Sequence, residues 1–201
     1  MVQTRSMAKA VQKRTLQTRA RLLSVARDLV KTSGYEGLRV EEVVLGAGVA
    51  KGTFFAHFRD KDALMEILIG AELDSSLDQA EAGPVPVSIP DMISVMRPYH
   101  LCMTQERYVF DLILRYSGAA AIAEIGPIAN TLGRYVYLVE EWVKAGSYRT
   151  DISPELIAEG VQGFAIQSMS LQFCALHAST TFEDRLKVYW DAWMLPQSPS
   201  N

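Results

Sequence analysis

The apolar positions of this chain recur at helical spacing along most of its length. In the first clear segment, Leu22, Ala26, Leu29 and Val30 follow one another at i, i+4, i+7 and i+8, which places them on one face of a helix. No run of the sequence alternates between apolar and polar residues as a half-buried strand would, and no Asn-Gly or Asp-Gly turn separates two β-rich runs. The pattern therefore predicts an all-α protein.

Glycine, proline and capping residues divide this pattern into separate helices. Gly34 stops the first helix, and Gly48 fits the left-handed turn between two short helices. Pro98 should bend or split the helix in which it lies. The expected N-caps of later helices are Asp60, Ser153 and Thr180. Helices are expected at about residues 15–32, 40–46, 50–58, 60–82, in a region that opens at 90–91, and at 127–146, 154–177 and 180–195.

Length and composition are those of an ordinary globular protein. The 201 residues are 49% hydrophobic and 21% charged, which fits one compact domain or two small ones. Residues 160–182 carry no formal charge, but their Gln, Ser and Thr content indicates a buried helix, and we expect no membrane partner. The cysteines Cys102 and Cys174 have no metal-ligand spacing, so we expect a reducing, cytoplasmic location and neither metal nor cofactor.

Charge is segregated along the chain. Residues 1–61 contain 12 Lys/Arg and 5 Asp/Glu, a net charge of +7, whereas residues 62–201 contain 8 and 18, a net charge of −10. A basic segment followed by an acidic one suggests a polyanion-binding module joined to a part that does not bind polyanions, although chance clustering on a solvated face would look the same. The first 14 residues carry four basic groups and no acid, which fits either an arm along DNA or a disordered, solvated tail.

One segment near the N-terminus has a specific order of residue types. Residues 34–40 read Gly-Tyr-Glu-Gly-Leu-Arg-Val, and residues 47–58 read Ala-Gly-Val-Ala-Lys-Gly-Thr-Phe-Phe-Ala-His-Phe, followed by Lys61 and Leu64. This order resembles the TetR family of transcriptional regulators over about residues 15–68. The resemblance implies a three-helix DNA-binding head with a helix-turn-helix, and a larger helical body that dimerises and often holds a small-molecule effector.

The resemblance gives the expected organisation of the whole chain. The expected segments are a basic N-terminal arm at 1–14, a helix-turn-helix DNA-binding domain at 15–61, a helical effector-binding and dimerisation domain at 62–195 and a C-terminal tail at 196–201.

The second short helix of the motif is the expected recognition helix. Gly52 would let the backbone approach DNA closely, and Thr53 can hydrogen-bond a phosphate or a base edge. Lysine and histidine side chains nearby can meet flanking phosphates, and so can an arginine at the start of the preceding helix. The predicted DNA contacts are Arg39, Lys51, Gly52, Thr53, Phe55, His57 and Lys61. Taken singly, these polar residues would be ordinary surface groups; Phe54 and Phe58 are expected in the core of the head.

Three positions depart from the family pattern. Ala50 stands where Ser is frequent, and alanine cannot cap the recognition helix, at a cost of about 1 kcal/mol. Phe55 stands where Tyr is frequent, so a phenol hydroxyl is missing, and Leu38 stands where a small or hydroxylated residue is common. These departures affect individual contacts and leave the expected fold unchanged.

The predicted body contains a cluster of methionines and aromatic residues. Methionine adapts to irregular shapes, so such a cluster can line a ligand cavity, although a plain helical core has the same composition. The candidate effector-pocket residues are Met92, Met96, Tyr99, Met103, Phe110, Ile113, Trp142, Phe164 and Phe173.

Small residues at near-helical spacing mark the helix expected at 154–177. They would let a helix of a second copy approach closely in a dimer, or another helix of the same chain. The candidate interface residues are Gly160, Gly163, Ser170 and Cys174.

These observations favour a homodimeric transcriptional regulator that binds a double-stranded DNA operator, most simply a repressor released by a small apolar or amphipathic effector. A regulator controlled by abundance or by a protein partner is the alternative. An enzyme is the least favoured class, because the sequence has no phosphate-binding glycine loop, metal-ligand spacing or nucleophile motif, and His57, His100 and His177 are scattered. We therefore assign no catalytic residue.

Overall fold

A computed structural model describes residues 2–117, 125–173 and 180–196, with side chains from residue 12 onward. Within these ranges the chain forms nine helices and no strand, which confirms the predicted all-α class. The helices are α1 (Val2–Gly37), α2 (Val40–Gly46), α3 (Lys51–Phe55), α4 (Lys61–Ala82), α5 (Ile89–Thr104), α6 (Arg107–Tyr116), α7 (Pro127–Ala145), α8 (Pro154–Gln172) and α9 (Phe182–Met194).

The chain divides into two compact units, which we call the head (residues 1–68) and the body (residues 69–201). The division falls inside α4, between Leu68 and Ile69, seven residues after the boundary expected at 61/62. None of the described helices combines the length and the apolar content that crossing a bilayer requires.

The head is built from α1, α2, α3 and the first turns of α4. Two glycines with positive φ shape it: Gly34 (φ 73°) interrupts the helical backbone of α1, and Gly48 (φ 60°) makes the turn after α2. Both turns follow the sequence prediction, since glycine adopts this conformation without a Cβ clash. The buried apolar side chains of the head include Leu22, Ala26, Tyr35, Leu38, Val43, Val44, Ala47, Phe54, Phe58, Leu64, Met65 and Leu68.

The start of the first helix differs from the prediction. We expected α1 to begin near Thr15 behind a separate arm at residues 1–14, but α1 begins at Val2. Residues 2–14 contain neither proline nor glycine and are rich in Gln, Ala, Lys, Arg and Met, which favour helix. Helix therefore extends backward from the segment that packs in the head, since adding a residue to an existing helix is easier than nucleating one.

The body contains the rest of α4 and helices α5 to α9. Helix α7 packs against α8, α8 against α9, and α5 against both α6 and α9. Ser88, Ser153 and Thr181 cap α5, α8 and α9, each with a side-chain oxygen that accepts a hydrogen bond from the backbone N–H three residues later. The N-cap predicted at Thr180 is therefore wrong by one residue, because Thr181 caps α9 by accepting from the Asp184 N–H.

Two further expectations for the body need correction. Of the bend or split expected at Pro98, the split does not occur, because α5 runs through this residue. Pro98 is exposed, so the carbonyl that loses its helical donor is on the solvent side. The break comes later, at Gln105 and Glu106, and α6 follows as a separate helix. Helix α8 ends at Gln172, with Phe173 as its C-cap, before the expected end at His177, which lies outside the described residues.

Candidate functional site

The corner between α2 and α3 presents one face of a short helix outward. Ala50 is the N-cap of α3 and makes no side-chain capping bond, as the sequence predicts. Along α3 and its C-cap, Lys51, Gly52, Phe55 and Ala56 are exposed, whereas Phe54 is fully buried. The exposed positions follow helical spacing, so α3 offers a continuous outer face while its inner face packs in the head.

Gly52 lies on that outer face with open space around it. A Cβ built on Gly52 would have no neighbouring heavy atom within 4 Å. Its φ lies outside the left-handed region, so neither packing nor backbone conformation of the head demands a glycine here. The absence of a side chain leaves the backbone of α3 accessible from outside, which is what close approach by another molecule requires.

A shallow, open depression of about 340 Å³ adjoins this face. It is lined by Glu36, Leu38, Arg39, Val40, Glu41, Lys51, Phe55 and Lys61. The head therefore brings together four of the predicted DNA contacts, namely Arg39, Lys51, Phe55 and Lys61. Phe55 is 49% exposed there, and its phenyl ring is an apolar group suited to contact with a sugar or a thymine methyl. Gly52, Thr53 and His57 lie on or just after α3 outside this depression.

Both lysines that line the depression have partners within the head. Lys51 Nζ lies 2.6 Å from Glu41 Oε1, and Lys61 Nζ donates to the backbone carbonyl of Glu36 at 2.8 Å. The hydrogen bond from Lys51 lowers the pKa of the Glu41 carboxyl. Any phosphate that binds Lys51 must therefore compete with Glu41. Sequence reasoning missed Glu41, because a partner ten residues away on another helix leaves no local signal.

Arg19 on α1 contacts the backbone just after α3. Its guanidinium donates to the backbone carbonyl of His57 at 2.7 Å and lies 4.5 Å above the ring of Phe58. The His57 imidazole is half-buried, with its ring centroid 6.3 Å from that of Phe58. Sequence reasoning also missed Arg19, whose position 38 residues before His57 carries no spacing signal. These contacts of Arg19 fix the backbone after α3 and so help to position the outer face of α3.

The predicted effector-pocket residues are placed in the core of the body and only partly around a cavity. Seven of them, Met92, Met96, Tyr99, Met103, Phe110, Ile113 and Trp142, are buried. Phe173 is half-buried and packs on Phe110, and Phe164 is half-buried and packs on Tyr189 and Trp193. A cavity of about 10 Å³ lies among α5, α7 and α8. Its lining is Tyr99, His100, Met103, Leu132, Tyr135, Gln162, Ala165, Ile166 and Met169.

Three of the residues that line this cavity, Tyr99, His100 and Tyr135, form a buried cluster of rings. The ring centroids of Tyr99, His100 and Tyr135 lie 5.2 to 6.1 Å apart, and His100 Nε2 lies 3.4 Å from Tyr135 Oη. His100 Nδ1 is buried and has no hydrogen-bond partner among the described residues. Tyr99 Oη is also buried, with the Thr131 hydroxyl near enough to oppose part of the rise in its pKa. Burial lowers the pKa of His100 to about 3 and raises the pKa values of both tyrosines, so all three side chains are neutral at physiological pH.

A second opening of about 80 Å³ reaches His100 from the surface. Arg97, Leu101 and Thr104 of α5 line it together with Gln172, Phe182 and Glu183. Arg97 Nε lies 3.3 Å from Glu183 Oε1, an ion pair that joins α5 to the start of α9. His100 thus lines both the interior cavity and an opening to solvent.

The predicted dimer residues fall into different environments. A Cβ on Gly160 would lie 2.2 Å from Trp193 Nε1, so Gly160 makes room for α9 of the same chain. Gly163 is exposed, with no heavy atom within 4 Å of a built Cβ, and Ser170 is half-buried and donates to the Ile166 carbonyl. Cys174 lies outside the described residues. Among the residues that are described, no group of His, Cys, Asp or Glu is placed to hold a metal ion.

Comparison with known proteins gives matches to both units. Residues 22–68 match the family of bacterial regulatory proteins called tetR. Over 150 residues the chain is 24% identical to the HTH-type transcriptional repressor DhaR of Mycobacterium sp. (strain GP1). The matched residues make up 63% of this chain and 67% of that protein.

Solved structures with a similar fold cover most of the chain. Thermus thermophilus FadR, a TetR-family transcriptional repressor in complex with lauroyl-CoA, has a TM-score of 0.58 and 16% identity, and the match covers 91% of this chain and 98% of that one. AibR in complex with isovaleryl coenzyme A and operator DNA has a TM-score of 0.54 and 18% identity, over 90% and 100% of the two chains. At these identities the structures establish a shared fold for head and body.

Proposed function

Because the chain belongs to the TetR family of bacterial transcriptional regulators, we propose that it is a homodimeric repressor that places α3 of each copy in the major groove of operator DNA. A regulator of this family is a DNA-binding protein and not an enzyme. It acts in the cytoplasm, where bacterial DNA lies. A helix-turn-helix dimer reads two half-sites about one helical turn apart, so the operator is expected to be a near-palindrome.

The observation that carries this proposal is the outer face of α3. Gly52 is open to solvent in a position where the head does not need a glycine. On the same face Phe55 and Lys51 are exposed, and Thr53 is half-buried beside them. Backbone access, one apolar ring and one cation are the groups that a helix inserted in a groove presents to sugars, base edges and phosphates.

Release by a small effector is the second part of the proposal. The methionine-rich body contains a small cavity among α5, α7 and α8 and a separate surface opening, and His100 lines both. Two proteins of similar fold were solved with acyl-coenzyme A ligands. An effector changes DNA affinity only if it binds one arrangement of the dimer more tightly than another. Helix α4, which contains the last residues of the head and the first of the body, is the proposed lever.

Dimerisation through α8 is the third part. Leu156, Gly163 and Gln167 are exposed at intervals of seven and four residues, which places them on one side of α8. Leu156 is 45% exposed, and Gly163 offers space for close approach by a helix of a second copy. Gly160 is not part of this proposed face, because Trp193 of the same chain already covers it.

The test of DNA recognition compares two glycine variants. Bound sequences are first selected from random duplex DNA, and the affinity of the selected duplex is then measured by fluorescence anisotropy for Gly52→Ala and Gly133→Ala. Both glycines are exposed, helical and free of neighbours around a built Cβ, but Gly133 lies on α7 of the body. Each variant should fold as the parent does, with up to about 1 kcal/mol of added stability. Only Gly52→Ala should weaken DNA binding, by about tenfold or more, because its methyl meets the DNA.

Equal DNA affinities of the two variants would contradict the recognition-helix assignment. Failure of the selection to enrich any duplex, with a folded and dimeric protein, would contradict the proposed function itself.

A further inference from the structure

The outer face of α3 offers few groups that can hydrogen-bond to a base edge. The exposed residues of α3 and its C-cap are Lys51, Gly52, Phe55 and Ala56. Apart from Lys51, α3 has no side chain of the kind that distinguishes guanine, adenine or cytosine by hydrogen bonds in pairs, since none of its residues is Arg, Asn, Gln, Asp or Glu. If α3 enters the major groove, such hydrogen bonds supply little of its base specificity.

The two polar side chains of α3 are both constrained. Lys51 Nζ lies 2.6 Å from Glu41 Oε1 of α2, so a base edge would have to displace that carboxylate. Thr53 is half-buried, and its hydroxyl can donate one hydrogen bond to a base edge or a phosphate. Neither residue therefore offers the paired hydrogen bonds by which a side chain selects one base.

Phe55 presents an apolar surface in a restricted orientation. It is 49% exposed, yet its ring packs edge-on against the ring of Phe54, with the two centroids 5.3 Å apart and the ring planes at 84°. Phe54 is fully buried in the head. A phenyl ring anchored in this way loses little conformational freedom when it packs against another apolar group, and so binds such a group at low entropic cost.

The neighbours of Phe55 on the outer face leave space for an apolar group. Gly52 precedes Phe55 by three residues and Ala56 by four, so all three are adjacent on the helix surface. A Cβ built on Gly52 would have no heavy atom within 4 Å. The outer face therefore carries an apolar stripe, formed by Gly52, Phe55 and Ala56, with open space at Gly52 beside the phenyl ring.

The chemistry of the major groove identifies the group that fits this stripe. Guanine, adenine and cytosine present hydrogen-bond donors and acceptors there, and thymine alone adds an apolar group, its C5-methyl. The net charge of +7 over residues 1–61 attracts the phosphates of any duplex and does not distinguish sequences. We propose that Phe55 is a specificity-determining residue that selects thymine in each half-site by packing against its C5-methyl. This inference rests on the proposed function, because it requires α3 in the major groove.

Removal of single methyl groups from the DNA tests the proposal. Each thymine of the selected duplex is replaced in turn by deoxyuridine, symmetrically in both half-sites, which removes the C5-methyl and keeps the base pair. At one position the affinity measured by fluorescence anisotropy should fall by about fourfold per methyl, hence about fifteenfold for two half-sites, as expected for burial of a methyl group. With a cytosine–guanine pair at that position, methylation of cytosine at C5 should strengthen binding by a similar factor, because it returns the methyl to the same place.

Phe55→Ala tests which side chain contacts the methyl. This variant should bind the selected duplex and its deoxyuridine form equally well, because the ring is absent. Leu45→Ala is the matched control, since Leu45 is 82% exposed on α2 and does not line the depression beside α3. It should keep the full loss on deoxyuridine substitution. Phe55→Leu, which has a smaller apolar side chain, should show an intermediate loss and replaces Phe55→Ala if that variant has a lowered melting temperature.

Three results would overturn the inference: a selected half-site without thymine, no loss of affinity with deoxyuridine at any position, or a loss that persists in Phe55→Ala. A ring that contacts a sugar instead gives the second result, and Phe55→Ala then weakens binding to all duplexes alike. In each case the protein still binds its selected duplex, so the proposed function stands. If the selection enriches no duplex, the proposed function fails and the inference fails with it.

Discussion

Ala50 occupies the N-cap of α3 without an oxygen to bond the free N–H groups of the first turn. Replacing it by serine supplies that acceptor at an exposed position where the larger side chain has room. We expect Ala50→Ser to raise the free energy of unfolding of the head by about 1 kcal/mol, measured by thermal unfolding. Ser153→Ala, which deletes an existing capping bond on α8, is the opposite change and should lower stability by a similar amount. A loss of stability in Ala50→Ser would show that the methyl is needed for packing.

His100 makes the stability of the body depend on pH. The folded chain keeps His100 neutral down to a pKa of about 3, whereas the unfolded chain takes up a proton near the ordinary value of 6.5. Because the folded-state pKa is depressed, this stability is fully present above pH 6.5 and is lost as pH falls towards 3. Between pH 7 and pH 5 the loss should be about 2 kcal/mol.

The measurement that checks this is urea unfolding of the parent and of His100→Phe at both pH values. The variant should lose about 2 kcal/mol less than the parent over this interval. If the free energy of unfolding falls equally in the parent and in His100→Phe between pH 7 and pH 5, His100 is not a buried, neutral histidine.

At the scale of elements, local signals in the sequence predict some helix boundaries and miss others. The bounds of α2 and α4 agree with the prediction, because a glycine turn follows α2, and Asp60 and Gly83-Pro84 flank α4. Asp60 Oδ1 accepts from the Ala63 N–H as expected of a cap. The break between α5 and α6 has neither glycine nor proline, so packing of the two helices in the body decides it, and the sequence alone does not.

Local sequence signals likewise predict some residues of the candidate sites and miss others. Arg39, Lys51, Phe55 and Lys61 were predicted from the order of residues in one motif, and the head brings them to one depression. Their neighbour Glu41 was missed. The cavity was predicted from methionine content, yet most of its lining comes from residues on α7 and α8 that no spacing relates to α5. Contacts between helices distant in sequence depend on the packed fold, which is why composition indicated a methionine-rich cluster and not the residues of α7 and α8 that line the cavity.

The pairing of α2 with α3 through Glu41 and Lys51 gives a prediction about DNA affinity. Glu41 holds Lys51 at 2.6 Å, and its carboxylate would also repel phosphates. Glu41→Gln should free Lys51 and strengthen binding to the selected duplex by about two- to fivefold, the range expected for one exposed pair. Glu42→Gln makes the same charge change on α2 outside the depression. Equal effects of the two variants would mean that net charge alone is responsible and that Lys51 does not contact DNA.

At the scale of the whole molecule, the N-terminal segment of the chain is basic and the remainder is acidic. The net charge is +7 over residues 1–61 and −10 over residues 62–201. With this distribution, attraction to phosphates comes from the N-terminal segment, and the acidic remainder disfavours other modes of polyanion binding. If each copy neutralises about four or five phosphates, a dimer neutralises about eight to ten.

The salt dependence of binding to the selected duplex tests the central claim most directly. Fluorescence anisotropy titrations from 50 to 200 mM salt, roughly the interval over which counterion release is resolved, give the slope of log K against log salt concentration. A dimer with α3 of each copy in the major groove should give a slope of about −7 to −9. A slope near zero would contradict the account, because binding would then release no counterions from DNA.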